Sequence, residues 1–372
     1  MTTTTVKAAN AAEFLSFVPH LLGFHASHSL VLVPFARSRT IAAMRLDLPP
    51  YDVEVDAFAA TCIGMVCRVG AADAVAAIVY TDEPVCDGSA PREALVTALL
   101  EKAHVCGLHV VDALWVGPEG WGSFLSADAA PRSLDELRDV RSAVGALAEP
   151  HGDQASGSEL PETDPARVAD VAEALRALEI AVDAVCDPPG EEGLRVDPSA
   201  LQTALPLDDF PSLYESMLSW DPAALTPYEC AAALWCLERP ALRDVALIGW
   251  TVGPDAADRA FAAQLRWDLG EAYPMDLARV LWGEAPTPDA SRLDSALRVA
   301  RAVAAAAPPE HSAGPLSVCA WLSWALGRST HAESYAARAY DAEPGHTLAE
   351  IVLSMVAAGH LPDWTFRRRP RS

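Results

Sequence analysis

The sequence predicts a two-part fold, with an α/β domain in residues 10–148 and an all-helical domain in residues 165–360. In the first part, short apolar runs alternate with helical patterns, which is typical of a partly parallel sheet covered by helices. In the second part, apolar residues recur almost only at helical spacing. Residues 149–164 hold five acidic residues and no Lys or Arg, so we expect an acidic linker or loop there. Residues 361–372 form a basic tail.

The elements of the α/β domain follow from local signals. Asn10 and Glu13 have the spacing of a helix N-terminus, and Gly23 is placed to end that helix in a left-handed conformation. The strands expected from apolar runs cover residues 29–35, 40–48, 74–81, 109–116 and 121–125. The helices expected after the first one cover residues 52–69, 91–107 and 133–148. Because crossover helices alternate with strands, we expect a mixed sheet of about five strands flanked by helices.

The helical domain carries clear start signals. Thr226, Thr330 and Thr347 are each followed three residues later by a Glu, which is the spacing of a capping box. Near the end of the domain, small residues and a proline have the spacing of the later part of a tetratricopeptide repeat: Gly327, Ala332, Ala339 and Pro344. One repeat cannot bury its own faces, so we expect a single tetratricopeptide-like helix pair rather than a solenoid.

Composition and charge exclude several classes of protein. The chain has 372 residues, of which 51 are acidic and 27 basic, for a formal net charge of −24. Such a charge opposes binding to phosphate backbones, so we expect no nucleic-acid partner. The sequence has no basic start followed by an apolar run and no apolar stretch of about 18 residues, so we expect no export signal and no contact with a membrane. None of the eight cysteines forms a C-x-x-C pair, and we expect reduced thiols in a cytoplasmic protein.

Five segments resemble a known family. Residues 17–24 (FVPHLLGF) and 29–33 (SLVLV) are similar to the N-terminal signature of an actinobacterial family of unassigned activity, domain of unknown function 4192. The resemblance continues at residues 243–247 (RDVAL), 320–327 (AWLSWALG) and 343–349 (EPGHTLA), so it covers the chain from about 10 to 360. Because the family has no assigned activity, the resemblance implies neither catalytic residues nor a cofactor.

The first candidate site lies where the predicted strand over 74–81 ends. Asp82 and Glu83 follow this strand, beside Tyr80. Ligands of α/β proteins bind beyond the carboxyl ends of parallel strands, and two acids there can hold a cation or act as acid and base. The alternative is that Thr-Asp-Glu-Pro is an ordinary strand exit. We expect a ligand-binding site at these three residues if the domain binds a small molecule.

The second candidate site is aromatic. The chain contains ten Trp residues, and seven of them lie between residues 220 and 324. Trp side chains bury a large area, so most of them are expected in the core. A subset can line a groove for a partner, and Trp321, Trp324 and Tyr335 are the candidates for such a partner-binding surface.

Three histidines, His20, His25 and His28, lie close enough in sequence to suggest zinc, but they span a helix end and a loop. His25 and His28 are also not part of the family pattern, which has Pro where Ala26 stands. We therefore expect no metal site. The glycines at 117, 120 and 122 lack the order and the following helix of a phosphate-binding loop, and a hairpin turn is expected.

Two functions remain open, and whether the protein is an enzyme is undecided at this point. The first is a non-catalytic cytoplasmic adaptor or regulatory protein that binds a protein partner of unknown identity through its helical domain. The second is an enzyme or small-molecule binder with its site at the strand ends of the α/β domain.

Overall fold

The computed structural model describes residues 8–86, 89–126, 130–138, 149–186 and 196–367. The chain divides into two compact units, residues 1–156 (unit 1) and residues 157–372 (unit 2). The division falls inside the acidic segment that separates the two predicted domains.

Unit 1 is built on one mixed sheet. Its described strands are β1 (Ser29–Ala36), β2 (Arg39–Thr40), β3 (Met44–Asp47), β4 (Ala74–Tyr80), β5 (His109–Gly117) and β6 (Gly120–Ser123). Its described helices are α1 (Ala11–Leu22), α2 (Val55–Arg68), α3 (Glu93–Val105) and α4 (Asp135–Arg138). The helix predicted over 133–148 is represented by α4, and residues 139–148 lie outside the described residues.

The sheet order is β2–β1–β4–β5–β6, with β3 also paired with β1. Strands β4 and β5 are parallel and joined by the crossover helix α3, whereas β1 and β6 run antiparallel to their neighbours. The predicted α/β class with a partly parallel sheet is therefore confirmed. The strand expected over 40–48 is instead divided into β2 and β3, which pair with β1 on either side of Pro34. Proline has no N–H to give to a ladder, which accounts for the interruption.

The alternation of side chains along β4 explains how both faces of the sheet are covered. Val75, Ala77 and Val79 pack against α2 and α3, whereas Ile78 and Tyr80 face α1. Because helices cover both faces, the strand is apolar throughout instead of alternating with polar residues.

Helix α1 begins and ends as the sequence predicts. The Asn10 side chain accepts a hydrogen bond from the backbone N–H of Glu13 at 2.9 Å. Gly23 ends the helix with a φ of 86°, a conformation that a residue with a Cβ adopts only under strain.

Every regular secondary-structure element described in unit 2 is a helix. The longer helices are α5 (Pro165–Cys186), α8 (Pro227–Leu237), α9 (Pro240–Val252), α10 (Pro254–Asp268), α12 (Ala290–Ala306), α13 (Ala313–Ala325), α14 (Ser329–Ala342) and α15 (Thr347–Ala357). The shorter helices are α6 (Pro198–Ala204), α7 (Phe210–Met217) and α11 (Met275–Leu281). The predicted all-helical second part is confirmed.

Helix starts in unit 2 follow the prediction in one case of three. Thr226 and Glu229 form the reciprocal capping box at the start of α8. Helix α14 instead starts at Ser329, one residue before Thr330. Helix α15 is capped by His346, whose Nδ1 accepts from the N–H of Ala349 at 3.4 Å, so Thr347 is already the first helical residue.

The segments predicted as an acidic linker or loop and as a basic tail both make contacts with the rest of the protein. In the acidic segment, the Gln154 amide bonds the backbone of Ser27 within unit 1, and Ser158 is buried within unit 2. In the predicted basic tail, Trp364 is buried and its indole N–H donates to the carbonyl of Ala325 at 2.9 Å. Arg367 follows it and is also anchored, and residues 368–372 lie outside the described residues. An amide side chain in the acidic segment and a tryptophan in the basic tail thus make contacts that the overall composition of these segments does not indicate.

None of the described helices combines the length and the apolar character that crossing a membrane requires. All eight cysteines are free thiols.

Candidate functional site

The carboxyl ends of β4 and β5 meet, as their parallel pairing requires. The N–H of Thr81, just after β4, donates to the carbonyl of Val116 near the end of β5 at 3.0 Å. Tyr80, Asp82 and Glu83 all lie at this edge of the sheet, but their side chains take three different environments.

The Glu83 carboxylate is held by donors from two other segments. Arg92, at the start of α3, donates from Nε to Glu83 Oε1 at 2.8 Å, and its Nη2 lies 2.7 Å from the same oxygen in an ion pair. The Tyr51 hydroxyl donates to Oε2. The Arg92 guanidinium also lies 3.9 Å above the centre of the Tyr51 ring and donates to the carbonyl of Pro49 at 2.7 Å. The hydrogen bond to Glu83 raises the pKa of Tyr51. Glu83 therefore ties the strand exit to the segment before α2 and to the start of α3.

Asp82 makes a different contact. Its Oδ2 lies 2.7 Å from Nε2 of His28, and the two side chains are 79 % and 65 % exposed. An ion pair this exposed contributes between nothing and about 1 kcal/mol. Asp82 and Glu83 thus do not converge on one point, and the structure does not assemble them into an acid–base pair.

Tyr80 points to the α1 side of the sheet, where its hydroxyl is buried with no hydrogen-bond partner. Burial raises the pKa of Tyr80 well above its usual value. The Trp121 indole Nε1 on β6 is also buried with no partner. Tyr80 is in register with Val116, and Val116 with Trp121, so these three residues occupy one row across three strands. Trp121 has no signal in the sequence for this position, because only the register places it in the row of Tyr80.

The three aromatic residues predicted to bind a partner are core residues. Trp321, Trp324 and Tyr335 are fully buried. The indole N–H of Trp321 donates to the carbonyl of Leu281 at 3.0 Å, and that of Trp324 to the carbonyl of His360 at 2.7 Å. The expected partner surface is therefore not formed by these side chains. Helical spacing identified an apolar stripe but does not distinguish a core stripe from an exposed one.

Exposed apolar side chains instead recur along the chain where α10 ends and α11 begins. Leu265, Trp267, Leu269 and Met275 are 55 %, 56 %, 83 % and 65 % exposed. We call these four residues the α10–α11 surface. An exposed ion pair between Arg259 of α10 and Asp276 of α11, at 2.6 Å, connects the two helices. The sequence signal was present, because large apolar residues flank the turn at Gly270.

The fully buried residues of α10 are all alanines: Ala256, Ala257, Ala260 and Ala263. Gly249 of α9 permits this close approach, since a Cβ there would lie 2.9 Å from the Cβ of Ala257. Phe261 is partly buried and packs against Phe210, whereas Leu265 and Trp267, nearer the end of the helix, are exposed.

The charge around the α10–α11 surface is negative. Residues 254–284 contain six acidic and three basic residues, which leaves a net charge of −3. All three arginines have an acidic neighbour, in the pairs Arg259–Asp276, Arg266–Glu271 and Arg279–Glu284. The acids left over carry no ion pair among the described residues; they are Asp255, Asp258 and Asp268.

Two of the segments that carry the family resemblance each contain a buried polar residue, Arg243 in one and His346 in the other. Arg243 is 6 % exposed and donates to the Asp244 carboxylate from Nε at 3.0 Å, and its Nη2 lies 2.9 Å from the same oxygen. Burial raises the pKa of Asp244. His346 is also buried, and its pKa is lowered by burial and, to a smaller extent, by the nearby Arg243 charge.

No group of three or more His, Cys, Asp or Glu side chains among the described residues is arranged to hold a metal ion. His28 is engaged by Asp82 instead.

A family model described as "Domain of unknown function (DUF4192)" matches residues 12–363. Neither the curated proteins nor the solved structures contain a match to this chain.

Proposed function

The chain belongs to the DUF4192 family, and we propose that it is a non-catalytic adaptor whose helical unit binds a basic protein segment at the α10–α11 surface. The observation that carries this proposal is the exposure of Leu265, Trp267, Leu269 and Met275 within eleven residues of chain. Exposed apolar patches rimmed by charged residues are characteristic of protein interaction sites. The free state of all eight thiols supports a reducing, cytoplasmic compartment.

Charge selects the kind of partner. The residues around the surface carry a net charge of −3, and the whole chain carries −24. A partner that combines apolar anchors with Lys or Arg is therefore attracted at a distance and gains ion pairs at the rim, whereas an acidic partner is repelled. An amphipathic helix with a basic polar face has both properties.

Trp267 has the largest share of the expected binding energy. A Trp side chain exposes up to about 250 Å², and Trp267 is 56 % exposed, so a partner can cover up to roughly 140 Å² of it. At about 25 cal/mol per Å² that area corresponds to at most about 3.5 kcal/mol, or about three hundred-fold in Kd. Values of this size are typical of the central residues of an interface.

The strand exit of unit 1 supports catalysis less well. Glu83 already accepts hydrogen bonds from Arg92 and Tyr51, and Asp82 lies on the surface beside His28. A general acid or base needs a carboxyl group that faces a substrate, and neither acid is placed in this way.

Two helical peptides with the same Leu and Phe positions test the proposal. One has Lys on its polar face and the other has Glu, and fluorescence anisotropy measures their binding to the full chain. We expect the Lys peptide to bind, and to bind more weakly as ionic strength rises. The Trp267→Ser/Leu269→Ser variant should lose at least ten-fold in affinity.

Leu205→Ser is the matched control, because Leu205 is an exposed apolar residue of the same unit, 73 % exposed and outside the proposed surface. It should leave the affinity unchanged. Equal binding of both peptides, no binding of the Lys peptide, or equal affinity of the double variant and the control contradicts the proposal.

A further inference from the structure

Unit 1 contains a second site, of a different class from the partner surface. We propose that Tyr80 and Trp121 bind a small, uncharged, flat molecule that carries a carbonyl-type acceptor, on the α1 side of the sheet above Val116. The observation behind this proposal is the presence of two buried polar groups, Tyr80 Oη and Trp121 Nε1, that have no hydrogen-bond partner. Buried donors are paired in the great majority of cases, so two in one row need an explanation.

The position of the row favours a ligand. Tyr80 and Val116 are the last paired residues of the parallel strands β4 and β5, and Trp121 is paired with Val116 from β6. The carboxyl ends of parallel strands are where α/β proteins bind small molecules. With strands about 4.8 Å apart, the backbones of Tyr80 and Trp121 are about 10 Å apart, so the two side chains flank Val116 and can approach one small molecule from either side.

The floor and walls of the site are apolar. Val116 lies between the two polar groups, and Ile78 and Leu114 form the next row with side chains on the same face. From the α1 side, Leu15 and Val18 pack against this face of the sheet. A ligand held here is therefore covered mainly by hydrocarbon, which favours a flat and mostly apolar molecule.

The polar groups determine which atom the ligand must present. The Trp121 indole N–H only donates, and the Tyr80 hydroxyl can donate as well. The Arg132 guanidinium lies 4.3 Å from the centre of a Trp121 ring and pairs with Glu136 at 2.8 Å. Because that charge is already neutralised, the site offers hydrogen bonds without a net charge. A neutral carbonyl oxygen fits better than a carboxylate, which would lose its hydration without gaining a free cation.

A pair of probes of equal shape tests this inference. Acetophenone carries a carbonyl group, and α-methylstyrene replaces the oxygen with a methylene group. Binding is followed on the full chain by the NMR signal of the Trp121 indole N–H, which a Trp121→Phe variant assigns. We expect acetophenone to shift this signal and to bind at least about five-fold more tightly than α-methylstyrene.

Tyr80→Phe should reduce that preference to about two-fold or less and should still fold, because the hydroxyl it removes has no partner in the protein. Tyr273→Phe is the matched control, since the Tyr273 hydroxyl in unit 2 is also buried without a partner. It should leave the preference unchanged. The inference is overturned if neither probe moves the Trp121 signal at millimolar concentration, if both bind equally, or if Tyr80→Phe retains the full preference. These results are independent of the peptide experiment, which reports on unit 2.

Discussion

Replacing Glu83 with Ala should destabilise unit 1 far more than replacing its neighbour Asp82. Glu83 is 28 % exposed and accepts one hydrogen bond from Arg92 Nε, at 2.8 Å, and one from Tyr51, besides an ion-pair contact of 2.7 Å with Arg92 Nη2. Hydrogen bonds to charged groups contribute about 1.5 kcal/mol or more each. Loss of the carboxylate also leaves Arg92, which is 13 % exposed, without its counter-ion. Arg92 keeps its bond to Pro49, so we expect a cost near the lower end, about 3 kcal/mol.

Hydrogen exchange read by mass spectrometry on the full chain measures this cost where it arises. Amides of β4 and α3 should exchange roughly a hundred-fold faster in Glu83→Ala, and amides of α13 in unit 2 should not change. Asp82→Ala is the control: the exposed pair with His28 should give a change below about 0.5 kcal/mol. If the two variants are equally stable, Glu83 does not tie the strand exit to α3.

The remaining predictions concern unit 2, and unfolding in urea followed by circular dichroism checks each of them. Trp321→Ala should cost about 3–5 kcal/mol, because it removes a fully buried side chain; a cost below 1 kcal/mol contradicts its place in the core. Gly283→Ala should cost clearly more than Gly345→Ala: both have a φ above 80°, but only at Gly283 would a Cβ lie 2.7 Å from another backbone atom, the Cα of Pro362. His346 has a lowered pKa, so the folded protein resists its protonation, and stability should fall as pH decreases below 6.5. His346→Asn keeps a capping side chain and should show a weaker pH dependence; an identical pH profile contradicts this assignment.

The fold was predictable because its signals are local. The apolar run of β4 and the cap at Asn10 each depend on a few neighbouring residues. The split of the strand over 40–48 was not predictable from its own residues, because the interruption lies opposite, at Pro34 of β1. The acidic segment at 149–164 has the composition of a linker, yet its contacts are made with residues distant in sequence, such as Ser27.

The candidate sites were predicted only in part. Tyr80 and Glu83 were placed correctly at the edge of the sheet. The residue in the same row as Tyr80, Trp121, is 41 residues away, and the residue that donates to Glu83, Arg92, is 9 residues away. Trp321 was recognised as an aromatic residue on an apolar stripe, and its full burial became clear only from the packing of neighbouring helices.

Residue pattern alone determined the class of each half of this protein, its helix and strand content, and its net charge of −24. Tertiary structure decided which side chains are covered. It buried Trp321 and left Trp267 exposed, and it aligned Tyr80 with Trp121. Periodicity depends on the few residues within one turn or one strand, whereas burial and hydrogen-bond satisfaction depend on elements that come from anywhere in the chain.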